Sequence, residues 1–177
     1  MKFSTVAQAL TAIVVGAMSV VAQDGAAIAK GIDHITQVSI GASTDVAQLS
    51  ISTAPEFFAV IVNDLGEINI AFDSAMGEIF VTGPLVGEDA DRVLAAIKNT
   101  VTAQQALLTD LAAKAALIGQ EFGTSIYDQL TFILGDVGAM KTSLLLIMPT
   151  DTSSSVSVQL DELSASYRQV IGISKNE

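Results

Sequence analysis

The amino-acid sequence predicts an all-α fold, a single-domain bundle of about five amphipathic helices, and three observations carry that expectation. Apolar residues recur alternately four and three apart, most clearly at Ile126, Leu130, Ile133, Val137, Met140, Leu144 and Ile147. That spacing puts the side chains on one face of a helix, which must then pack against other helices. Helix-stopping signals, Gly83-Pro84 and Pro149, fall between such stripes and not within them. Finally, a chain of 177 residues with no cysteine has to be held by burial, and it is long enough to do so.

Taken in order, residues 1–22 read as a cleaved signal peptide. Met1-Lys2 is a short positive start, Ala12 to Val21 an apolar run, and Ala22 a small residue at the cleavage point. Ser4, Thr5, Gln8 and Thr11 interrupt it too early for a membrane anchor. Residues 23–177 form the bundle domain. Its first helix is expected from Ala26 toward Ile51 on Ile28, Ile32, Ile35, Ala42, Val46 and Leu49, with a bend invited by Ser39 and Gly41. Thr53-Ala54-Pro55-Glu56 matches a capping box opening the second helix, whose stripe is Phe58, Ile61, Leu65, Ile68 and Phe72. Phe80 to Gly87 is an apolar loop, either folded onto the bundle end or a lid over a pocket.

Glu88, Asp89 and Asp91 suit the positive end of the third helix. Its stripe, from Val93 and Ile97 to Leu111, is expected to run on through Ile118 to Phe122. Gly123-Thr124-Ser125 then separates it from the fourth helix, which Pro149 closes. Thr150 to Ser155 reads as a polar loop and an O-glycan candidate, and the fifth helix carries Val156, Leu160, Leu163, Tyr167 and Val170.

Composition narrows the function. With 8 basic and 19 acidic residues, the chain is a poor partner for nucleic acid or anionic membrane. The lone histidine, His34, cannot build a zinc site or serve a nucleophile that no Gly-Xaa-Ser-Xaa-Gly elbow presents. Asp161 and Glu162 are neighbours on a helix and point apart, unlike a glycosidase pair. No phosphate-binding or dinucleotide glycine pattern implies a cofactor. The reading is a non-enzymatic binder. Aromatics are scarce and tryptophan is absent, so the material on offer is aliphatic. Gly66, Gly77, Gly119, Gly135 and Gly138 sit among large residues. They either let helices approach closely around a filled core or leave a channel suited to a lipid tail.

Val93-Leu94-Ala95-Ala96-Ile97, Gln104-Gln105-Ala106-Leu107-Leu108 and Leu111-Ala112-Ala113-Lys114 resemble the fungal hydrophobic surface-binding protein A family, which includes cell wall galactomannoproteins. Ile126-Tyr127-Asp128-Gln129-Leu130, Ile147-Met148-Pro149 and Ile32-Asp33-His34-Ile35 extend the resemblance over most of the mature chain. Ser50 to Pro55 departs from the glycine-containing turn often seen there. The resemblance implies a secreted five-helix bundle that encloses fatty acids, or one that adsorbs to hydrophobic solids and recruits hydrolases. A structural wall mannoprotein is a third reading. For a lipid site the expected wall is Phe58, Ile61, Leu65, Phe72, Val101, Leu108, Leu130, Leu134 and Met140. Gln104, Gln105, Tyr127 and Tyr167 are the expected head-group donors, with Lys114 or Lys141 at a mouth. A 16-carbon tail gains about 12 kcal/mol on burial at about 0.8 kcal/mol per methylene. Association costs of about 4–15 kcal/mol offset much of that, leaving affinity near micromolar.

Overall fold

A computed structural model describes residues 25–174, with the side chains of Pro55, 119–122, Ile173 and Ser174 left aside. The expected leader, residues 1–22, lies outside the described residues. Five helices and no strand occur among them: α1 (Gly25–Gln48), α2 (Ala54–Val81), α3 (Glu88–Ala113), α4 (Ala115–Ile147) and α5 (Thr150–Ser174).

The helices close into a ring. α1 packs on α2, α2 on α4, α4 on α5, α5 on α3 and α3 back on α1; α3 and α4 otherwise touch little, and no other pair approaches. Pairings across the seams give the directions. Thr36 meets Thr100, Ser39 meets Gln104 and Ser43 meets Asp110, so α1 and α3 run parallel. Each stripe turns inward. Ile28, Ile32 and Ile35 of α1, Ile61, Leu65 and Ile68 of α2, and Leu130, Ile133 and Val137 of α4 are all fully buried. The ring also accounts for α4: Gly123–Ile147 is long and apolar enough to cross a membrane by length and composition, yet its stripe faces the other helices.

Several boundaries differ from the sequence expectation, each for a local reason. α1 ends at Gln48 and is unbroken at Ser39, whose hydroxyl is satisfied by donating to the Ile35 carbonyl at 2.7 Å. The capping box does not form. Thr53 is helical in φ and ψ, and its hydroxyl donates to the Gln48 carbonyl, joining α1 to α2 in place of capping α2. The break after α3 comes at Lys114, and Gly123-Thr124-Ser125 stays helical within α4. Lys114 Nζ donates to the Leu49 carbonyl at 2.8 Å, so this side chain is engaged in closing α1 at the corner. Thr150 to Ser155 is not a loop but the start of α5. The Pro149 carbonyl accepts from the Thr152 and Ser153 amides and nucleates that first turn.

The Phe80–Gly87 segment is divided. Phe80 and Val81 finish α2 and are exposed, whereas Leu85 folds down, its amide donating to the Ile147 carbonyl at 2.7 Å. Gly87 takes φ +55° at the start of α3, a conformation glycine adopts at no steric cost. Of the two readings of the glycines, close helix approach does not hold at Gly66, Gly77, Gly135 or Gly138, where a Cβ would meet nothing within 4 Å. The close approaches are at Gly25, where a Cβ would stand 2.8 Å from the Asp89 Cα, and at Gly31, where it would stand 3.2 Å from the Ala75 Cα.

Candidate functional site

Ring geometry directs attention to the axis. With neighbouring helices about 9 Å apart, the centre of a five-membered ring lies about 7–8 Å from each helix axis. Side chains fill a helix only to a radius of about 5–6 Å. The axial space must therefore be filled by the longest inward side chains or by something else.

Phe58, Ile61, Leu65, Phe72, Val101, Leu108, Leu130 and Met140, expected as wall residues, are buried to 3% exposure or less. Leu134 is half-buried against the same core. They belong to α2, α3 and α4, and one apolar cluster joins them to Ile28, Ile32 and Ile35 of α1 and Leu163 of α5.

Within this aliphatic surround lies a polar chain contributed by three helices. Tyr167 Oη of α5 donates to Gln104 Oε1 of α3 at 2.7 Å. Gln104 Nε2 donates to Ser39 Oγ of α1 at 3.2 Å, and Ser39 passes its proton toward Ile35 O. All three residues are 0% exposed. Burial, aided by the Asp136 charge, holds the Tyr167 phenol well above its ordinary range, so it remains a donor. A buried polar group costs about 1–3 kcal/mol if unpaired, so these three order one another. Gln104 has a second amide hydrogen and Tyr167 an oxygen lone pair beyond these bonds, which is capacity for one more polar group. Thr100 adds a rung above: its hydroxyl donates to Ile32 O at 3.0 Å and lies 2.7 Å from that of Thr36.

The other expected donors are placed differently. Gln105 is half-buried and donates to Ser166 Oγ at 3.4 Å on the α3–α5 seam. Tyr127 is half-buried on α4 and is not a member of the triad. Neither lysine is available to a ligand: Lys114 caps α1, and Lys141 binds both carboxylate oxygens of Asp161 at 2.7 Å. Ser39 was missed as a functional residue because a serine within a helix reads first as a defect. Its clue is position, on the buried stripe between Ile35 and Ala42.

A surface cleft of ≈ 490 Å³ runs between α1 and α3, lined by Lys30, Asp33, His34, Gln37, Arg92 and Asn99 over alanines. His34 is exposed there, as expected. Such walls suit water better than an acyl chain. No group of three or more His, Cys, Asp or Glu that could hold a metal occurs among the described residues.

Three solved structures share the architecture. AfMP4p in complex with palmitic acid superposes with a TM-score of 0.80 at 14% identity, covering 85% of this chain and 99% of that one. Ligand binding domain 1 of Penicillium marneffei MP1 protein, complexed with arachidonic acids, gives 0.78 at 14% identity over 86% and 99%. Domain 2 of the same protein, with multiple arachidonic acids, gives 0.78 at 13% identity over 88% and 98%. The chain has the fold of these ligand-binding domains. No family model matches the sequence, and no curated protein is recognisably similar to it.

Proposed function

We propose that this protein is a non-enzymatic binder of a long-chain fatty acid or similar lipid. The acyl chain lies along the axis of the ring, and the head group meets Gln104, Tyr167 and Ser39. The observation that carries the reading is a satisfied polar triad, with spare hydrogen-bonding capacity, enclosed by aliphatic side chains. An acyl chain ending in a carboxyl matches that pattern of one polar point in an apolar surround. The fatty acids held by the three structural neighbours support it. Phe58, Ile61, Leu65, Phe72, Val101, Leu108, Leu130, Leu134 and Met140 are the proposed wall, and Tyr127 belongs to its far end. Secretion after removal of residues 1–22, and kinship with the fungal surface-binding and galactomannoprotein family, complete the reading.

Native mass spectrometry of protein purified without added lipid, together with displacement of a fluorescent fatty acid, tests it. Co-purified mass in the fatty-acid range, or saturable displacement by palmitate, is expected. A bare mass with no displacement overturns it.

A second reading, adsorption to hydrophobic solids, is favoured by one observation. Phe80 (72% exposed), Val86 (73%) and Leu146 (81%) lie at the chain termini of α2 and α4 and on the loop that docks there. Depletion by hydrophobic beads beyond that of an ordinary acidic protein is its test.

A further inference from the structure

The α1–α3 seam is closed at two places and open between them. At one end Gly25 of α1 lies so near α3 that a Cβ on it would stand 2.8 Å from the Asp89 Cα. At the other, Thr36 meets Thr100, and pairing continues through Ser39–Gln104 and Ser43–Asp110. The two ties are equally far apart on both helices, about 16 Å at the helical rise. Between them the seam carries Ala26 and Ala29 of α1 and Ala95 and Ala96 of α3, side chains too short to fill the groove where two helices meet. What they leave is the cleft of ≈ 490 Å³, a volume in the range of small-molecule sites.

The rim of this cleft is polar, and its hydrogen-bonding capacity is unspent. Lys30, Asp33, His34 and Gln37 of α1 and Asn99 of α3 engage no side-chain partner among the described residues. Arg92 makes one contact, Nη1 to Asp89 Oδ1 at 3.3 Å, which leaves most of its guanidinium donors free. Residue number sets the order along the trough. Lys30 and Arg92 come toward the Gly25 end, Asp33 and His34 follow, and Gln37 and Asn99 stand beside the threonine pair. The whole chain has a net charge of −11, yet the cleft sets two permanent cations, Lys30 and Arg92, against the single carboxylate of Asp33. An acidic exterior repels polyanions, whereas a small anion can reach a local pair of cations.

We infer that the α1–α3 trough is a second binding site, for a small hydroxylated anion such as a sugar phosphate or sugar acid, with the oxyanion at the Lys30–Arg92 end. The inference does not depend on the lipid reading, because the cleft lies on the outside of the ring. Lys30 and Arg92 donate to the oxyanion, Arg92 through its unused guanidinium edge. Asp33 accepts from hydroxyls, and the Gln37 and Asn99 amides can both donate to and accept from them. The alanine methyls form a short apolar floor for the C–H face of a sugar ring. Lys30 and Gln37 are about 10 Å apart along α1, which suits one phosphorylated or oxidised hexose. No tryptophan, tyrosine or phenylalanine lines the cleft, so ring stacking adds little and binding is expected in the millimolar range.

The test is a titration followed by amide-resolved NMR at constant ionic strength, with glucose-6-phosphate and glucuronate as probes. Saturable shifts are expected from Ala26 to Gln37 and from Arg92 to Asn99, and at the Gln37 and Asn99 side-chain amides. The probe bound more tightly distinguishes phosphate from carboxylate. Inorganic phosphate and glucose, the two halves of the first probe, should each bind more weakly than the whole. In Lys30→Gln/Arg92→Gln affinity should fall about tenfold or more. Ala95→Leu keeps every charge but fills the trough, and should weaken binding as well. Lys98→Gln removes an exposed lysine outside the lining and should change nothing. Palmitate binding should be the same in all of these variants, so failure of either site is read separately. Four results overturn the proposal: no saturable binding of either probe, shifts scattered over the surface, inorganic phosphate bound as tightly as the sugar phosphate, or equal losses in Lys98→Gln and the Lys30–Arg92 variant.

Discussion

Removing the Tyr167 hydroxyl isolates the chemistry of the buried triad. In Tyr167→Phe the ring still fills its place, but Gln104 Oε1 loses the donor 2.7 Å away and is left 0% exposed. A net hydrogen bond is worth about 0.5–1.5 kcal/mol, but orphaning a buried acceptor costs about 1–3 kcal/mol. Gln104→Leu alone strands the Tyr167 phenol in the same way, while Ser39 keeps its bond to Ile35 O. Each single variant should therefore lose about 1–3 kcal/mol in urea denaturation at pH 7, or about 2–4 °C of Tm per kcal/mol. The double variant leaves neither partner stranded and should fall short of the summed losses by about 1–2 kcal/mol. Because its loss falls well short of that sum, binding can be read on the folded double variant, which separates folding from function. It should bind palmitate about tenfold or more weakly, because a hydrogen bond to a charged group contributes about 1.5–3 kcal/mol. Strictly additive stability losses would refute the coupling. Unchanged palmitate affinity in the double variant would refute the head-group assignment.

Three other outcomes follow from the packing and the charges. Asp64 has its carboxyl raised from 3.8 to about 6 in the folded state, so the folded protein binds more protons than the unfolded chain across that window. This contribution is most favourable below about pH 4 and is lost as pH rises through 6; equilibrium unfolding should show it, and Asp64→Asn should flatten the slope. Gly31→Val forces branched methyls toward the Ala75 backbone and should cost about 1–3 kcal/mol, whereas Gly66→Ala meets open space and should gain about 0.5–1 kcal/mol; thermal melts of the pair check both. Lys114→Met removes the donor to the Leu49 carbonyl and should lower stability by about 1 kcal/mol, with faster exchange confined to the last turn of α1.

Much of the ring was readable in advance because burial is periodic. The stripes of α2, α4 and α5 turned inward almost residue for residue, and Pro149 marked the α4 boundary because the residue before a proline leaves helical space. Glu88, Asp89 and Asp91 opened α3 as a helix dipole requires. The misplaced boundaries share one cause. Ser, Thr and Gly weaken an isolated helix, yet Gly123, Ser39 and the Thr150–Ser155 run are helical because the surrounding ring and the Pro149 carbonyl compensate. Conversely, Ala-Ala-Lys-Ala-Ala around Lys114 is fine helix material, and the chain nevertheless breaks there at the corner where α1 ends.

Sequence by itself determined the class of fold, the inward faces of the helices and the aliphatic character of what they enclose, because side-chain hydrophobicity acts at a period set by local backbone geometry. Only the tertiary structure decided which helices adjoin. That order brings Ser39, Gln104 and Tyr167 together from positions 65 and 63 residues apart, and sets Asp64 against Asp45 and Asp136 against Asp73. Hydrogen bonds and carboxyl repulsion act over a few ångströms between side chains of different helices, and no periodicity along one strand of sequence encodes which neighbour each will meet.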